Sequence, residues 1–154
     1  MHIRLITVGR KLRGWVREGF DEYAKRLPAA LQIEHISVAA AERGQSAAET
    51  KSIEARRIGS VVAAGAYRVA LDEAGRQWSS MELSERLAEW MRNGHNLALL
   101  VGGADGLDES IRASAQEVWS LSRLTLPHAF VPILVVEQLY RGWSVLNGHP
   151  YHRE

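Results

Sequence analysis

The chain has 154 residues, which suits one compact domain spanning 1–154, and its 46% hydrophobic and 24% charged residues can bury a core and exclude disorder. Nineteen Lys/Arg against 18 Asp/Glu leave a net charge of +1, too small to demand a nucleic-acid partner by itself, and no cysteine is present for disulfides, thiolate catalysis or Cys-ligated zinc. No apolar run approaches the ~18–20 residues of a membrane span and residues 1–9 carry no leader pattern, so a cytoplasmic protein with no membrane partner is expected.

In chain order, His2–Val8 alternates into a first strand that stops at Gly9. Val16, Phe20, Tyr23 and Leu27 recur at helical spacing, and Pro28 closes that helix. Gln32–Val38 reads as a second strand and Ala39–Gln45 as a polar loop. Ser46 with Glu49, and Ser79 with Glu82, form capping boxes that open two helices; the first runs to about Ala64, and the second carries Leu83, Leu87 and Trp90 before Gly94. Tyr67–Asp72 lies between them as a third strand. Asn96–Val101 is an uninterrupted apolar run, the mark of a parallel strand covered on both faces. Asp108 caps a helix carrying Ile111, Ala115 and Val118, with Trp119 at its end. Arg123–Leu126 reads as a short last strand. A final helix begins near Ala129, with Val135, Leu139, Trp143 and Leu146 turned to the core and Pro132 tolerated in its first turn. Trp90, Trp119 and Trp143 are expected in the core, whereas Trp15 and Trp78 have no assignment. Such alternation predicts an α/β fold with a mostly parallel sheet flanked by helices.

Residues 1–57 hold 11 Lys/Arg and 7 Asp/Glu, whereas residues 58–154 hold 8 and 11. The basic share gathers in Arg4, Arg10, Lys11, Arg13, Arg17, Lys25 and Arg26. That asymmetry suits an anionic partner and equally an ordinary solvated face.

Four features carry chemistry. Val101-Gly102-Gly103-Ala104-Asp105-Gly106-Leu107 joins a buried strand to a helix, at the strand end where open α/β sheets bind ligands; it is equally a turn that needs glycine for its own geometry. It contains neither a P-loop nor a dinucleotide fingerprint. His149 and His152 lie three apart, but Pro150 between them blocks a shared helical face, so no metal is expected. Glu137 and Arg141 are i,i+4 on the last helix, a spacing that a surface ion pair also explains. The chain closes on Tyr151-His152-Arg153-Glu154, groups suited to stacking on a base and holding an anion, or to docking on the protein itself.

Leu100–Leu107, Ser120-Leu121-Ser122-Arg123-Leu124-Thr125-Leu126-Pro127-His128, Val136-Glu137-Gln138-Leu139-Tyr140-Arg141 and His149-Pro150-Tyr151-His152-Arg153, together with Leu5–Gly9, closely resemble the RlmH family of SPOUT methyltransferases over the whole chain. These are bacterial enzymes that methylate N3 of a pseudouridine in 23S rRNA of the large ribosomal subunit. The resemblance implies a C-terminal trefoil knot, a homodimer, S-adenosylmethionine as methyl donor with no metal, and rRNA on the ribosome rather than DNA as partner. By matching position it implies cofactor contacts at Leu71, Gly103, Ser122, Arg123, Leu124, Thr125, Leu126 and Pro127. It points to His128, Arg141, Tyr151, His152 and Arg153 for catalysis, with His128, His152 or Glu137 taking the N3 proton. Pro132 stands where the family usually has arginine, and Gly142 where it usually has alanine. The rival readings are a non-catalytic ribosome- or RNA-binding protein that kept the fold, and a SPOUT methyltransferase acting on another RNA such as tRNA.

Overall fold

Side chains of β1 (His2–Val8) alternate between two apolar layers, Ile3 and Leu5 entering one and Ile6 and Val8 the other. The computed structural model describes residues 1–153; Glu154 lies outside the described residues. It places β1 beside β2 (Gln32–Val38) and β4 (Leu97–Val101), followed by β3 (Tyr67–Gln77) and β5 (Glu117–Ser120). The order is β2-β1-β4-β3-β5 and every pairing is parallel. All five residues of β4 are buried, as its apolar run requires.

Helices α1 (Gly14–Ala24), α3 (Ser80–Asn93) and α5 (Phe130–Leu146) cover one face, contributing Phe20, Leu83, Leu87, Trp90, Val135 and Leu139. Helices α2 (Ala47–Val61) and α4 (Glu109–Ser114) cover the other with Ile58 and Ile111. Both capping boxes form: Ser46 and Ser79 accept from the N–H groups of Glu49 and Glu82, whose carboxylates accept in return from the two cap N–H groups. Gly94 ends α3 at φ 69°, and Asp108 caps α4 by accepting from the Ser110 N–H at 2.9 Å.

Several boundaries differ from the sequence reading. Helix α1 ends at Ala24, and two tight turns carry the chain through Leu27; α2 ends at Val61, before Ala64. Helix α4 stops at Ser114, so Val118 and Trp119 belong to β5, where the branched and aromatic side chains suit a strand packed on β3. Arg123–Leu126 is therefore loop: Ser120 Oγ donates to the Ser122 carbonyl at 3.1 Å, and Ser122 Oγ accepts from the Leu124 N–H at 2.9 Å. Leu146 is 40% exposed at the end of α5, outside the core stripe of Val135 and Leu139. Strand β3 runs five residues past Asp72, with a register shift between Leu71 and Arg76. Gly75 permits that bulge, because a Cβ there would lie 2.8 Å from the Val118 carbonyl.

The tryptophans in the core fix the edge of the sheet. Trp119 stacks on Trp78 at 5.0 Å, and Trp78 packs against Trp90. Glu117, at the start of β5, accepts from Tyr67 Oη at 3.0 Å and Trp90 Nε1 at 3.1 Å, and pairs with the Arg86 guanidinium. Burial, with the bond to Glu117, pushes the Tyr67 phenol up to about 12, so it remains a donor.

Pro132 sits in the first turn of α5, where its missing N–H costs nothing, and it is buried. Gly142 is buried against α3, and a Cβ there would meet Leu87 Cδ2 and Ser84 Cα at 3.6 Å, an ordinary contact. Gly142→Ala is therefore expected to gain about 1 kcal/mol of helix propensity and raise Tm by roughly 2–4 °C in calorimetry. His35, on β2, shares a 2.8 Å hydrogen bond with buried Thr7, and burial, with Arg17 and His128 nearby, lowers its pKa from 6.5 to about 4. The unfolded chain thus takes up this proton first, and stability falls as pH drops from about 6.5 to 4. Urea midpoints across that window should fall further for the wild type than for His35→Gln.

Candidate active site

Because β3, β4 and β5 are parallel and paired, with Leu71 opposite Val101 and Trp119, their carboxyl ends finish together. Beyond them opens a cleft of about 600 Å³, with Leu71, Val101 and Trp119 among its lining residues. One wall is the loop after β4. The Gly106 N–H donates to the Gly103 carbonyl at 3.0 Å, Gly106 adopts φ 84°, and a Cβ on Gly102 would lie 2.5 Å from the Gly106 carbonyl carbon. The glycines thus serve the geometry of their own turn, and that turn is also the cleft wall. On the far side of Gly103 lies buried Glu54, whose Oε2 would be 2.8 Å from a Cβ at 103. Burial pushes the Glu54 carboxyl up, opposed by the Ala41 N–H.

A second wall is the β3 bulge. Asp72 accepts from the Ala74 N–H at 2.9 Å and from Arg112 Nη1 at 3.2 Å, and Arg112 also grips Glu109. Asp72, Glu73, Asp105, Lys51 and Arg112 give the lining its charge, and of these only Asp105, within the glycine loop, lay in a motif that the sequence reading singled out. The glycine at 75, inside a strand pattern, was the available sign that the chain departs from the sheet here. The third wall is the loop between β5 and α5. Ser122, Leu124, Thr125 and Leu126 line the cleft, while Arg123 and Pro127 lie in the same loop without joining the lining. Leu124 is 75% exposed, and the Thr125 and Leu126 N–H groups have no partner among the described residues.

The residues at the chain's end form a separate cluster. Glu137 Oε1 accepts from Arg141 Nε at 3.0 Å, Arg141 Nη2 at 2.6 Å and Tyr151 Oη at 2.9 Å, while Oε2 accepts from Gln138 at 2.7 Å. Glu137 and Arg141 are only 14% and 18% exposed, which removes the solvated-pair reading. The Arg141 cation lies 4.8 Å from the Tyr151 ring centre, and that ring packs on Tyr140 and Tyr23. Burial, aided by hydrogen bonds to Tyr23 and Glu137, raises the Tyr151 phenol, so it stays protonated; the hydrogen bond to Glu137 raises the Arg141 guanidinium. A 3₁₀ turn, Pro150–Arg153, closes the cluster; in it His152 Nδ1 meets the His149 carbonyl at 2.5 Å and Arg153 is exposed. The two histidines serve this turn, and among the described residues no group of three His, Asp or Glu is placed to hold a metal.

The structure therefore gathers Leu71, Gly103, Ser122, Leu124, Thr125 and Leu126 around one cleft, and Arg141 and Tyr151 around Glu137, with His152 and Arg153 beside them. Within one chain these groups stay apart: no residue from 137 to 153 lines the cleft. His128 is exposed just ahead of α5, near enough to His35 to influence it.

A family model described as a predicted SPOUT methyltransferase matches residues 1–152. Curated relatives include proteins named ribosomal RNA large subunit methyltransferase H. That of Hydrogenovibrio crunogenus is 48% identical over 156 residues and that of Thioalkalivibrio sulfidiphilus 47% over 156, each covering 100% of both chains. That of Methylococcus capsulatus is 46% identical over 155 residues, covering 99% of this chain and 100% of its own. Matched across nearly its whole length, this chain belongs to the SPOUT methyltransferase family.

Proposed function

We propose that this protein methylates N3 of a pseudouridine in 23S rRNA of the large ribosomal subunit, using S-adenosylmethionine, as a cytoplasmic homodimer acting on assembled ribosomes. The observation that carries this reading is the cleft at the carboxyl ends of β3, β4 and β5, in a chain that matches rRNA large subunit methyltransferases end to end. Its volume of about 600 Å³ falls in the range of cofactor pockets. Leu71, Leu126 and Val131 offer apolar surface to an adenine ring, open main-chain N–H groups of the 122–127 loop suit its edge, and Asp72 and Asp105 suit a cationic tail. The cofactor supplies a methyl group on sulfonium, ready for in-line displacement.

The protein must then orient an imide nitrogen and remove its proton. As the new C–N bond forms and the C–S bond breaks, the N3 proton passes to His128 or His152. Exposed Arg153 holds phosphate or the negative charge that grows on the imide, with Arg141 adding to that field from within its pair with Glu137, and Tyr151, whose hydroxyl donates to Glu137, positions the base with its ring. Glu137 is committed to Arg141, Tyr151 and Gln138, so in this reading it is a positioning residue rather than the proton acceptor. Buried Pro132 belongs to the packing of α5 and leaves the cationic work to these arginines.

The separation of the two clusters supports the homodimer in this reading. Trp15 and Phe130, 56% and 44% exposed, pack ring to ring at 5.3 Å where α1 and α5 begin. In this reading a second copy covers that apolar patch, and the Tyr151–Arg153 turn of one subunit completes the cleft of the other.

Labelled methyl transfer to intact ribosomes, free subunits and tRNA is the direct test, with nucleoside mass spectrometry locating the product. His152→Ala and Arg153→Ala are expected to leave calorimetric donor affinity within about twofold while cutting transfer by roughly 10²-fold or more. Donor binding with no transfer to any RNA would favour the non-catalytic reading, and transfer only to tRNA the other rival. Gly103→Val and Arg153→Ala subunits, each inactive alone, should recover about a quarter of wild-type activity when mixed; no recovery argues against a shared site.

A further inference from the structure

Cationic side chains are matched with carboxylates along much of the fold. Arg17 pairs with Asp21 at 2.7 Å, Arg26 with Glu22 at 2.6 Å, Arg4 with Glu34 at 2.7 Å and Arg57 with Glu42 at 3.0 Å. Arg10, Lys11 and Arg13, in the loop leaving β1, are exposed and make no ion pair among the described residues; the same holds for Arg43 in the loop leaving β2. These two loops depart side by side. Val8 pairs with Val38, and the Gly9 N–H extends that ladder by donating to the Val38 carbonyl at 2.8 Å. His128 lies on this flank, within electrostatic reach of His35 on β2. The cleft lining, by contrast, mixes both signs: Asp72 and Glu73 in the β3 bulge and Asp105 in the loop after β4 stand beside Lys51 and Arg112, and Arg112 is paired with Asp72.

We propose that Arg10, Lys11, Arg13 and Arg43 form the docking surface for the phosphate backbone of the RNA substrate. The inference rests on the RNA-methyltransferase reading and adds the direction of approach: RNA lies along the β1–β2 flank and presents its base past His128. Cations without carboxylate partners keep their full charge for phosphate, and neutralising phosphate releases counterions. A second copy of this chain is a poor occupant, because a two-fold contact there would set like charges against each other. Paired cations such as Arg17 contribute far less to such a field.

The test is binding to intact ribosomes and to 23S rRNA by filter retention between about 50 and 200 mM salt. The variant Arg10→Ala/Lys11→Ala/Arg13→Ala should lose at least tenfold in affinity, and its log–log salt slope should fall by about 2–3. Donor affinity by calorimetry should be unchanged, which also reports that the variant is folded. Arg56→Ala/Arg68→Ala/Arg92→Ala removes the same charge elsewhere and should keep the wild-type slope. An unchanged slope in the first variant, or equal losses in both, overturns the docking surface while leaving the methyltransferase reading intact. A wild type that binds donor yet shows no salt-dependent affinity for ribosomes or 23S rRNA overturns the RNA reading and this surface with it.

Discussion

Parallel pairing governs this molecule. Strands that run the same way cannot be joined by hairpins, so each must be left through a loop at one edge and re-entered from the other after a helix. With all five strands parallel, every carboxyl end in the sheet arrives at the same edge. The glycine turn after β4, the bulge that interrupts β3 and the long loop after β5 are therefore neighbours, although they lie tens of residues apart in the chain. The cleft follows from this convergence, and each of its walls is set by a local necessity: φ 84° at Gly106, the close passage of Gly75 over β5, and the hydroxyl-directed turns at Ser120 and Ser122.

Much of the fold was legible in the residues because the relevant physics is local. Capping boxes at Ser46 and Ser79 announce themselves through reciprocal hydrogen bonds within three residues, and the unbroken run to Val101 reports burial on both faces. The errors came where distant contacts decide. Val118 and Trp119 fit a helical stripe until β3 is present to pair with them, and the Leu-Thr-Leu alternation at 124–126 reads as a strand although it has no neighbour to bond. The charged lining was hidden for the same reason: nothing near Asp72 in sequence reveals that Arg112 comes to meet it. For the site, family resemblance supplied the candidate residues, but their division into a cleft group and a Glu137 group was not legible, since residues 150–153 fold back on α5.

That fold-back gives the terminal residues their meaning. A polar end held only by water would sample many conformations and place no group reliably. Here the carboxylate of Glu137 draws in Arg141 and Tyr151, and the aromatic faces of Tyr23 and Tyr140 close around them. The ion pair is too sheltered for water to compete freely, so its worth lies in fixing geometry, as pairs of this kind do when every acceptor is used.

The anchoring of β5 has a further consequence. A four-residue strand at the margin of a sheet would ordinarily fray. Glu117 ties its first residue to Tyr67, Arg86 and Trp90, and the indoles of Trp78 and Trp119 seal the remainder of the strand. The floor beneath the cleft is thereby finished before any guest arrives. Little ordering entropy is then subtracted from the affinity of whatever settles there, and adjustment falls to the loop that carries Leu124.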